Sequence, residues 1–465
     1  MKKTLLIIAT LAISGCAQTQ QVKLPTVDLS AQWRAGPAAE PSGVAWWRAF
    51  GDATLNELES QALAENLDIQ QAAARIEQAR SAEGLAQASL APSVNLDVSA
   101  GRVQQSLNSG LGTLSNFVPN YARMADPGQV ALSATWDLDF AGGLRSQREA
   151  AGANLEARGA ELQALRITIS AEVADAYFTA LGAKFQKAAL TRQLDLLSKQ
   201  LRIMEARVRV GAAAQVELDR LQSEIEETTA PLSSLTASVS IQKNRLALLL
   251  GRNPTSFDID IDKAEQMPIA ADPAGGVPAD ILRRRPDVLA AEKRVAGAGA
   301  NVAASMAEYY PRISLSAALG QDTSNYANLD SSRSSFAQSF LGLRWRLFDF
   351  GRIDAEVKVA KGKEQESLLA YRAAVLRAAS EVESSFSQLA AARDRLKHLE
   401  EQGRRNRLLA KSVEASFKAG AVSEDDLCGA DRSVAISDFN IEAEKLNVAR
   451  SIVFAAKAMG GPIAD

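Results

Sequence analysis

The sequence is poor in the residues from which catalytic and metal sites are usually built. Its 465 residues include two cysteines and one histidine. That histidine, His398, lies in a charged stretch with no cysteine or second histidine nearby in the sequence. Neither a metal site nor a nucleophile–base pair can be assembled around it. The composition therefore predicts a protein that is not an enzyme and holds no metal or other non-covalent cofactor.

Strong net charge is also lacking. The formal net charge is −3 at pH 7 and no stripe of basic residues stands out, so nucleic acid is not expected as a partner. Aromatic residues make up only 5% of the chain. This low share, together with abundant alanine, favours long and closely packed helices over a thick globular core.

The apolar run near the N-terminus is too short to cross a bilayer as a helix. Lys2 and Lys3 precede this run, which extends from Leu5 to Ile13, and the pattern is typical of an export signal. The following residues, Ser14-Gly15-Cys16, resemble the lipoprotein box of bacteria. That resemblance implies removal of residues 1–15 and a covalent lipid on Cys16. Ala17 stands where lipoproteins of the inner membrane often carry Asp, which favours the outer membrane.

An ordinary signal peptide with a chance cysteine is the alternative interpretation of this segment. If the signal is removed, Cys428 is the only thiol besides Cys16, which excludes an intrachain disulfide framework. A large buried surface must then stabilise the fold.

The chain contains two similar halves. Residues 68–92 align without a gap with residues 287–311, and residues 136–251 align without a gap with residues 345–460. We predict an extended N-terminal segment over 16–54, a first repeat over 55–256, a linker over 257–279 and a second repeat over 280–465. The pairs that match in chemistry are Asp68/Asp287, Arg75/Arg294, Pro92/Pro311, Leu138/Leu347, Glu172/Glu381, Gly211/Gly420, Leu218/Leu427 and Gly251/Gly460.

Each half contains a segment in which apolar and polar residues alternate, as in β-strands with two unlike faces. We predict hairpins at 93–139 and 312–348, hence four strands per chain, with long polar loops at roughly 104–127 and 321–335. Trp136 and Trp345 fall near strand ends, where interfacial aromatic residues lie in membrane barrels. The residues expected to face a wet barrel lumen are Asn95, Asp97, Asp137, Asp139, Arg344 and Arg346.

A soluble sheet that packs its apolar face on helices is the alternative. The charged residues of the polar face favour the membrane interpretation, because they are costly inside a dry sandwich. Four strands cannot close a barrel, and an open sheet edge is prohibitively unfavourable in hydrocarbon. Several chains must therefore share one barrel.

Helical periodicity follows and precedes each predicted hairpin. The predicted helical segments are 55–91, 144–210 and 214–250 in the first half, and 280–308, 352–418 and 423–459 in the second. A continuous helix over 144–210 would be about 100 Å long, at 1.5 Å per residue. The shorter segments have the length to flank the long ones as coiled-coil partners. Gly211 and Gly420 mark the tight turns between long and short helices.

Several motifs together resemble the TolC-like outer membrane factors, in their OprM/NodT-like lipoprotein branch. They are Trp46-Trp47 with Phe50 and Asp52, Leu67-Asp68-Ile69 with Ala72, Arg284-Arg285-Pro286-Asp287-Val288 with Ala291-Glu292, Tyr310-Pro311, and Leu347-Phe348-Asp349-Phe350-Gly351-Arg352. The resemblance implies an α+β membrane protein with four transmembrane strands per chain. A homotrimer would share a twelve-stranded barrel, continued by a periplasmic helical coiled-coil tunnel.

The resemblance also implies a tunnel mouth at the helix turns, guarded by acidic residues. Glu424, Asp425 and Asp426 occupy that position, and three copies around an axis would favour cations. Ordinary helix capping behind Ser423 is the alternative, and the two accounts are compatible. On the paired turn, Glu217 is a candidate contact for the gate or an adaptor. The chain departs from the family pattern at Val422, Cys428 and Gly429, which leaves the details of closure open.

The resemblance implies the exit duct of a tripartite efflux system, passive and anchored in the outer membrane. Its partners would be a periplasmic membrane-fusion adaptor, an inner-membrane pump of the RND type and outer-membrane lipid. The exit duct of a type I protein secretion system is the alternative, and a lipid-anchored periplasmic scaffold is a further one.

Overall fold

The computed structural model describes Leu24 and residues 32–34, 45–109, 113, 117, 123–273 and 276–461. These residues form two compact units, and each unit combines parts of both sequence halves. One unit comprises residues 76–157 and 292–370 with Leu24, and the other comprises the described residues of 26–75, 158–291 and 371–461. The repeat boundaries given above stay a prediction.

Helices occupy most of the described chain, and the long predicted segments are confirmed. Equivalent helices of the two halves have equal lengths: α2 and α6 have 22 residues each, α3 and α7 have 67, and α4 and α8 have 35. The bounds are α1 Ala53–Glu65, α2 Leu67–Ala88, α3 Gly143–Arg209, α4 Gln215–Leu249, α5 Pro278–Arg284, α6 Pro286–Ala307, α7 Arg352–Lys418 and α8 Glu424–Ala458.

The predicted segments 55–91 and 280–308 are each interrupted by one extended residue. Asn66 separates α1 from α2, and its amide donates to the carbonyl of Leu249 at 2.8 Å. Arg285 separates α5 from α6, and its guanidinium donates to the carbonyl of Ala458 at 2.5 Å. Leu249 and Ala458 are also equivalent in the sequence alignment. Each half therefore uses its interrupting residue to satisfy a carbonyl at the end of its last helix, where helices leave acceptors free.

The first unit contains an antiparallel four-stranded sheet in the order β1-β4-β5-β6. Its strands are β1 Ser93–Ala100, β4 Gly128–Leu138, β5 Arg312–Thr323 and β6 Ser335–Arg344, and the loop of the first hairpin adds β2 Val103–Gln104 and β3 Met124–Ala125. The register aligns Leu96, Leu132 and Leu319 on one face across the three strands β1, β4 and β5. The two predicted hairpins are thus present and pair with each other.

Two tryptophans fasten the ends of this sheet to the helices that precede each hairpin. The indole N–H of Trp136 donates to the carbonyl of Leu90 at 2.9 Å, and that of Trp345 donates to the carbonyl of Tyr309 at 3.0 Å. Leu90 lies two residues beyond the end of α2, and Tyr309 lies two residues beyond the end of α6. Each indole thus uses its polar N–H to hold a strand end beside a helix end. The sequence pattern had indicated the position of these residues but not this contact.

The core lies in the second unit. Tyr177 and Phe178 of α3 and Phe386 of α7 are at most 2% exposed, and the ring centroids of Phe50 and Phe178 are 4.7 Å apart. The phenol of Tyr177 donates to the carboxylate of Asp52 at 2.9 Å, and Asp52 also caps α1 by accepting from the backbone N–H of Leu55. Burial first, and then Asp52, raises the pKa of Tyr177.

Two basic side chains at equivalent positions of the long helices hold the linker between the halves. The ammonium of Lys184 in α3 donates to the carbonyls of Ile261, Asp262 and Ala264 at 2.8 to 3.1 Å. The guanidinium of Arg393 in α7 donates to Asp272 and to the carbonyl of Ala270. The described residues of the linker before α5 contain one short 3₁₀ turn at Ile261–Lys263 and no other helix or strand. These cations therefore replace the partners that a helix or sheet would supply.

Candidate functional site

The two turns between long and short helices have the same backbone geometry. Gly211 and Gly420 have φ of 75° and 73°, which glycine adopts without a side-chain clash. The N–H of Ala421 donates to the carbonyl of Ser416, and that of Gly420 to Phe417; the turn at Gly211 has the same two bonds. This pattern is the Schellman motif that ends a helix. Both glycines and Glu217, in the first turn of α4, are exposed.

The acidic start of α8 is a capping box. The N–H of Asp426 donates to the hydroxyl of Ser423 at 3.2 Å, and the carboxylate of Asp426 accepts from the backbone N–H of Ser423 at 2.9 Å and from its hydroxyl at 2.6 Å. These hydrogen bonds lower the pKa of Asp426. The capping account is confirmed for Ser423 and Asp426, whereas Glu424 is exposed at the same end of the helix.

Asp425 belongs to a different set of contacts. Its carboxylate accepts from the amide of Gln200 at 3.1 Å and lies 3.9 Å from the guanidinium of Arg207, both on α3. Arg432, two turns further along α8, donates to Glu224 of α4 at 3.0 Å and to Gln200 at 3.4 Å. Gln200 is 9% exposed. The start of α8 is therefore tied by polar contacts to both α3 and α4. No pattern in the sequence predicted these partners.

Cys428 lies on the same helix, close to this network. It is a free and buried cysteine. Burial, and then the neighbouring Glu424, raises the pKa of its thiol. A buried thiol of raised pKa is a poor nucleophile, so Cys428 behaves as a small apolar residue.

Four of the six residues predicted to face a lumen lie on strands of the sheet. Asn95 and Asp97 are in β1, Asp137 is in β4 and Arg344 is in β6. By strand alternation and register they share one face with Ser133, whose hydroxyl donates to Asp97 at 2.6 Å. The opposite face is apolar and exposed: Val94, Leu96 and Val98 are 64%, 64% and 66% exposed, and Leu341 and Leu343 are 72% and 65% exposed.

The other two predicted lumen residues lie beyond the strand ends, so their placement on strands was wrong. Asp139 follows β4 and accepts from the backbone N–H groups of Leu144 and Arg145, which caps the start of α3. Arg346 follows β6, and its guanidinium is 3.0 Å from Glu308 and 3.6 Å from Glu356. Alternation continues in the sequence for a few residues past the last ladder hydrogen bond, which explains the error.

The predicted lipidation site, Cys16, and the signal peptide over 1–15 lie outside the described residues. Within those that are described, no group of three or more His, Cys, Asp or Glu side chains is placed to hold a metal ion. None of the described helices carries an apolar stretch long enough to cross a bilayer.

Comparison with known proteins identifies the family. The family model described as outer membrane efflux protein matches residues 58–252 and 277–461, which is most of the chain. The chain belongs to the outer membrane efflux protein family. It therefore acts in efflux at the outer membrane, in a fold that extends into the periplasm.

Individual members of the outer membrane efflux protein family match over nearly their whole length. The pyoverdine export outer membrane protein OpmQ of Pseudomonas putida is 30% identical over 448 residues, which are 94% of this chain and 93% of OpmQ. Nodulation protein T of Rhizobium leguminosarum bv. trifolii is 29% identical over 453 residues, which are 93% and 91% of the two chains.

A solved structure of an outer-membrane channel, OprN, superposes with a TM-score of 0.84 at 27% sequence identity. The match covers 96% of this chain and 99% of OprN. The sheet and helices described above therefore form the fold of outer membrane efflux channels, whose family members are trimeric. The expected resemblance to TolC-like outer membrane factors is confirmed. Of these relatives, OpmQ is named as an export protein and OprN as a channel.

Proposed function

We propose that three copies of this chain form a lipid-anchored exit duct, through which small toxic compounds delivered by an inner-membrane pump of the RND type and a periplasmic adaptor leave the cell. The observation that carries this proposal is the sheet of the first unit. Both of its faces are exposed, one apolar and one polar, and among the described strands β1 and β6 each have one edge without a neighbour. A sheet of this kind is stable in a membrane only when its edges are paired.

Pairing of β6 of one copy with β1 of the next removes the open edges. Three copies then give a barrel of twelve strands, with the apolar face towards lipid and Asn95, Asp97, Asp137 and Arg344 towards water. The equal lengths of α2 and α6, α3 and α7, and α4 and α8 support two structurally equivalent repeats per chain. Three copies of two repeats build a tunnel from six similar units.

The sheet proposal is tested by cysteine cross-linking in cells. We expect Ala100→Cys on β1 combined with Ser335→Cys on β6 to give covalent dimers and trimers under oxidation. If the register between copies is shifted, a cysteine pair at a neighbouring position should do so instead. The background for this test is Cys428→Ser, which removes the free thiol of the described residues, so that cross-links come from the introduced cysteines. If no cysteine pair in a scan of the two edges gives cross-linked dimers or trimers, the shared barrel is contradicted.

The tunnel mouth is proposed to lie at the turns of Gly211 and Gly420, with the start of α8 as its gate. The contacts of Asp425 with Gln200 and Arg207, and those of Arg432 with Glu224, support a gate helix held in place by the neighbouring helices. Three copies of Glu424, Asp425 and Asp426 near an axis would attract cations. Glu217 is exposed on the paired turn and is proposed to contact the adaptor.

The gate proposal is tested by single-channel recording of the purified trimer in planar bilayers. We expect Arg432→Met to raise conductance, because it frees α8 from α4, and Asp425→Asn to raise conductance and lower cation selectivity. Glu217→Gln is the matched control: it removes an exposed acid from the other turn, and no adaptor is present in the bilayer. Conductance equal to wild type in both α8 variants would contradict a gate at this position.

The physiological role is tested by growth of a deletion strain on antibiotics, dyes, detergents and metal salts. If the deletion strain is sensitive and the wild-type gene restores resistance, drug efflux is supported. If the deletion leaves resistance unchanged but a secreted protein is missing from the medium, the type I secretion alternative is supported. Complementation with Cys16→Ser, followed by separation of membranes, tests the lipid anchor. We expect the Cys16→Ser protein to carry no lipid and to be less abundant in the outer membrane than wild type.

A further inference from the structure

One aromatic residue stands out on the polar face of the sheet. Phe336 and Phe340 of β6 both belong to this face, because they alternate with Ala337, Ser339 and Leu341 of the apolar one. Phe336 pairs with Gly320 of β5, where an aromatic ring characteristically covers the exposed backbone of the glycine. Phe340 pairs with Ser316 and is 61% exposed. Cross-strand packing therefore accounts for Phe336 but not for Phe340.

A cation, Arg344, lies on the same face, four residues further along β6. The side chain of Arg344 is exposed and, within the described residues, makes no hydrogen bond or ion pair. It is directly opposite Arg312 in the register of β5 and β6. Like charges placed opposite each other across strands repel. Glu308 is shared by Arg312 and Arg346, whereas the side chain of Arg344 has no ion-pair partner within the described residues.

No bulky side chain of β6 stands between Phe340 and Arg344 on this face. Gly342 occupies the intermediate position on this face, and the hydroxyl oxygen of Ser314 lies over it, so close that a Cβ on Gly342 would be 2.9 Å away. Four residues along a strand span about 13 Å between Cα atoms. The long side chain of Arg344 has the reach to shorten this separation to the length of a two-ring aromatic acid.

We propose that Phe340, the hydroxyl of Ser314 and Arg344 form a contact site for anionic aromatic solutes on the lumen face of the sheet. The ring of the solute stacks on Phe340, its carboxylate receives hydrogen bonds from Arg344, and Gly342 leaves room between the two. Charge complementarity selects this class, because an anion relieves the repulsion between Arg312 and Arg344. This proposal rests on the proposed function, because solutes reach these residues only if the polar face of the sheet lines the duct.

The test uses the purified full-length trimer and 2-naphthoate as the probe. In planar bilayers, 2-naphthoate is expected to block the open channel more strongly than two matched compounds: the saturated analogue decahydronaphthalene-2-carboxylate, which lacks the aromatic rings, and 2-naphthamide, which lacks the charge. Equal block by either matched compound overturns the proposal, as does the absence of block by 2-naphthoate.

Variants then assign the site to these residues. Phe340→Ser and Arg344→Gln are each expected to weaken block about threefold to tenfold, in line with one aromatic contact or one charged hydrogen bond at an exposed site. The controls are Phe336→Ser on the same strand and Arg333→Gln, which removes one positive charge beyond the other end of β6. Equal effects of the control and site variants overturn the proposal.

Failure of this site and failure of the duct give different results. A protein that conducts ions but shows no selective block by 2-naphthoate retains the proposed duct and loses the site. If neither the wild type nor the gate variant Arg432→Met conducts ions, the duct proposal fails, and calorimetric titration of 2-naphthoate into wild type and Phe340→Ser still decides whether the site exists. Equal heats from the two proteins overturn it.

Discussion

Glu59, a buried acid in the second unit, should make the free energy of unfolding depend on pH, and Glu59→Gln should remove this dependence. Glu59 of α1 is 0% exposed, and neither carboxyl oxygen has a hydrogen-bond partner within the described residues. The neighbouring hydroxyl, Ser170 of α3, is also fully buried and also lacks a partner of normal geometry. Burial therefore raises the pKa of Glu59 well above its ordinary value, and Ser170 offsets only part of this.

The sign of the pH effect follows from proton binding. Between the ordinary pKa of a glutamate and the raised pKa of Glu59, the folded state holds a proton that the unfolded state has released. Stability is then complete below the ordinary pKa of about 4.3 and falls as pH rises, by about 1.4 kcal/mol per pH unit, until the folded pKa is passed. Glu59→Gln removes this dependence while nearly keeping the volume.

We expect the melting temperature of Glu59→Gln to match that of wild type near pH 4.5 and to exceed it increasingly as the pH rises from 5 towards the raised pKa of Glu59. The expected gain is about 1 to 3 °C per pH unit for a chain of this size. The measurement is thermal unfolding of the detergent-solubilised protein across this pH range. Glu57→Gln, an exposed acid on the same helix, is the control. A difference between Glu59→Gln and wild type that does not change with pH would refute the reasoning.

Three further substitutions test the contacts that hold the helices and linker. Arg285→Leu should lower the free energy of unfolding by about 2 to 3 kcal/mol, because it leaves Asp287, Glu381 and a buried carbonyl without their shared partner; thermal unfolding measures this. Gly420→Ala should cost about 1 to 2 kcal/mol by the same assay, from the positive φ alone, since no atom lies within 4 Å of the added methyl group. Lys184→Met should leave the linker more readily cut by an Asp-specific protease, because three carbonyls lose their donor.

Each of these variants has a matched control. Arg283→Leu removes an exposed arginine from α5, and Lys187→Met removes an exposed lysine one turn from Lys184. Gly362→Ala places a methyl group in open space inside α7 at an ordinary helical φ, so it should stabilise slightly where Gly420→Ala destabilises. A control that behaves like its test variant would show that the contact in question contributes nothing.

The long helices could be predicted because their signal is repeated many times along the sequence. The structure has α3 over Gly143–Arg209 and α7 over Arg352–Lys418, within one residue of the predicted bounds. The interruptions at Asn66 and Arg285 were missed, because a single extended residue does not disturb helical periodicity. Their role depends on carbonyls of Leu249 and Ala458 that are remote in sequence and close only in the fold.

The candidate gate was only partly predictable, for a related reason. Ser423 and Asp426 are three residues apart, and a capping box is a local pattern that the sequence displays. The partners of Asp425 and Arg432 are on α3 and α4, more than two hundred residues away for Gln200. Polar contacts between distant helices leave no periodic trace in a single sequence. Their roles in gating therefore stay a prediction.

Comparing equivalent positions of the two halves distinguishes contacts that both halves make from features that only one half has. Asn66 and Arg285 differ in chemistry but satisfy equivalent carbonyls, so the scaffold constrains the contact rather than the side chain. The turns show the reverse. Their backbones are the same, yet α4 begins after Ala214 without a side-chain cap, and α8 begins with a capping box and three acids.

Helix capping requires only Ser423 and Asp426 at the start of α8. It does not account for Asp425, whose carboxylate contacts α3, or for Glu424, which remains exposed. Two acids beyond the structural need, present in only one of two otherwise equal turns, add charge at a single helix end of each protomer. The difference between the halves is thus concentrated where a threefold axis would multiply it, and this is why the start of α8, and not that of α4, is the gate that we propose.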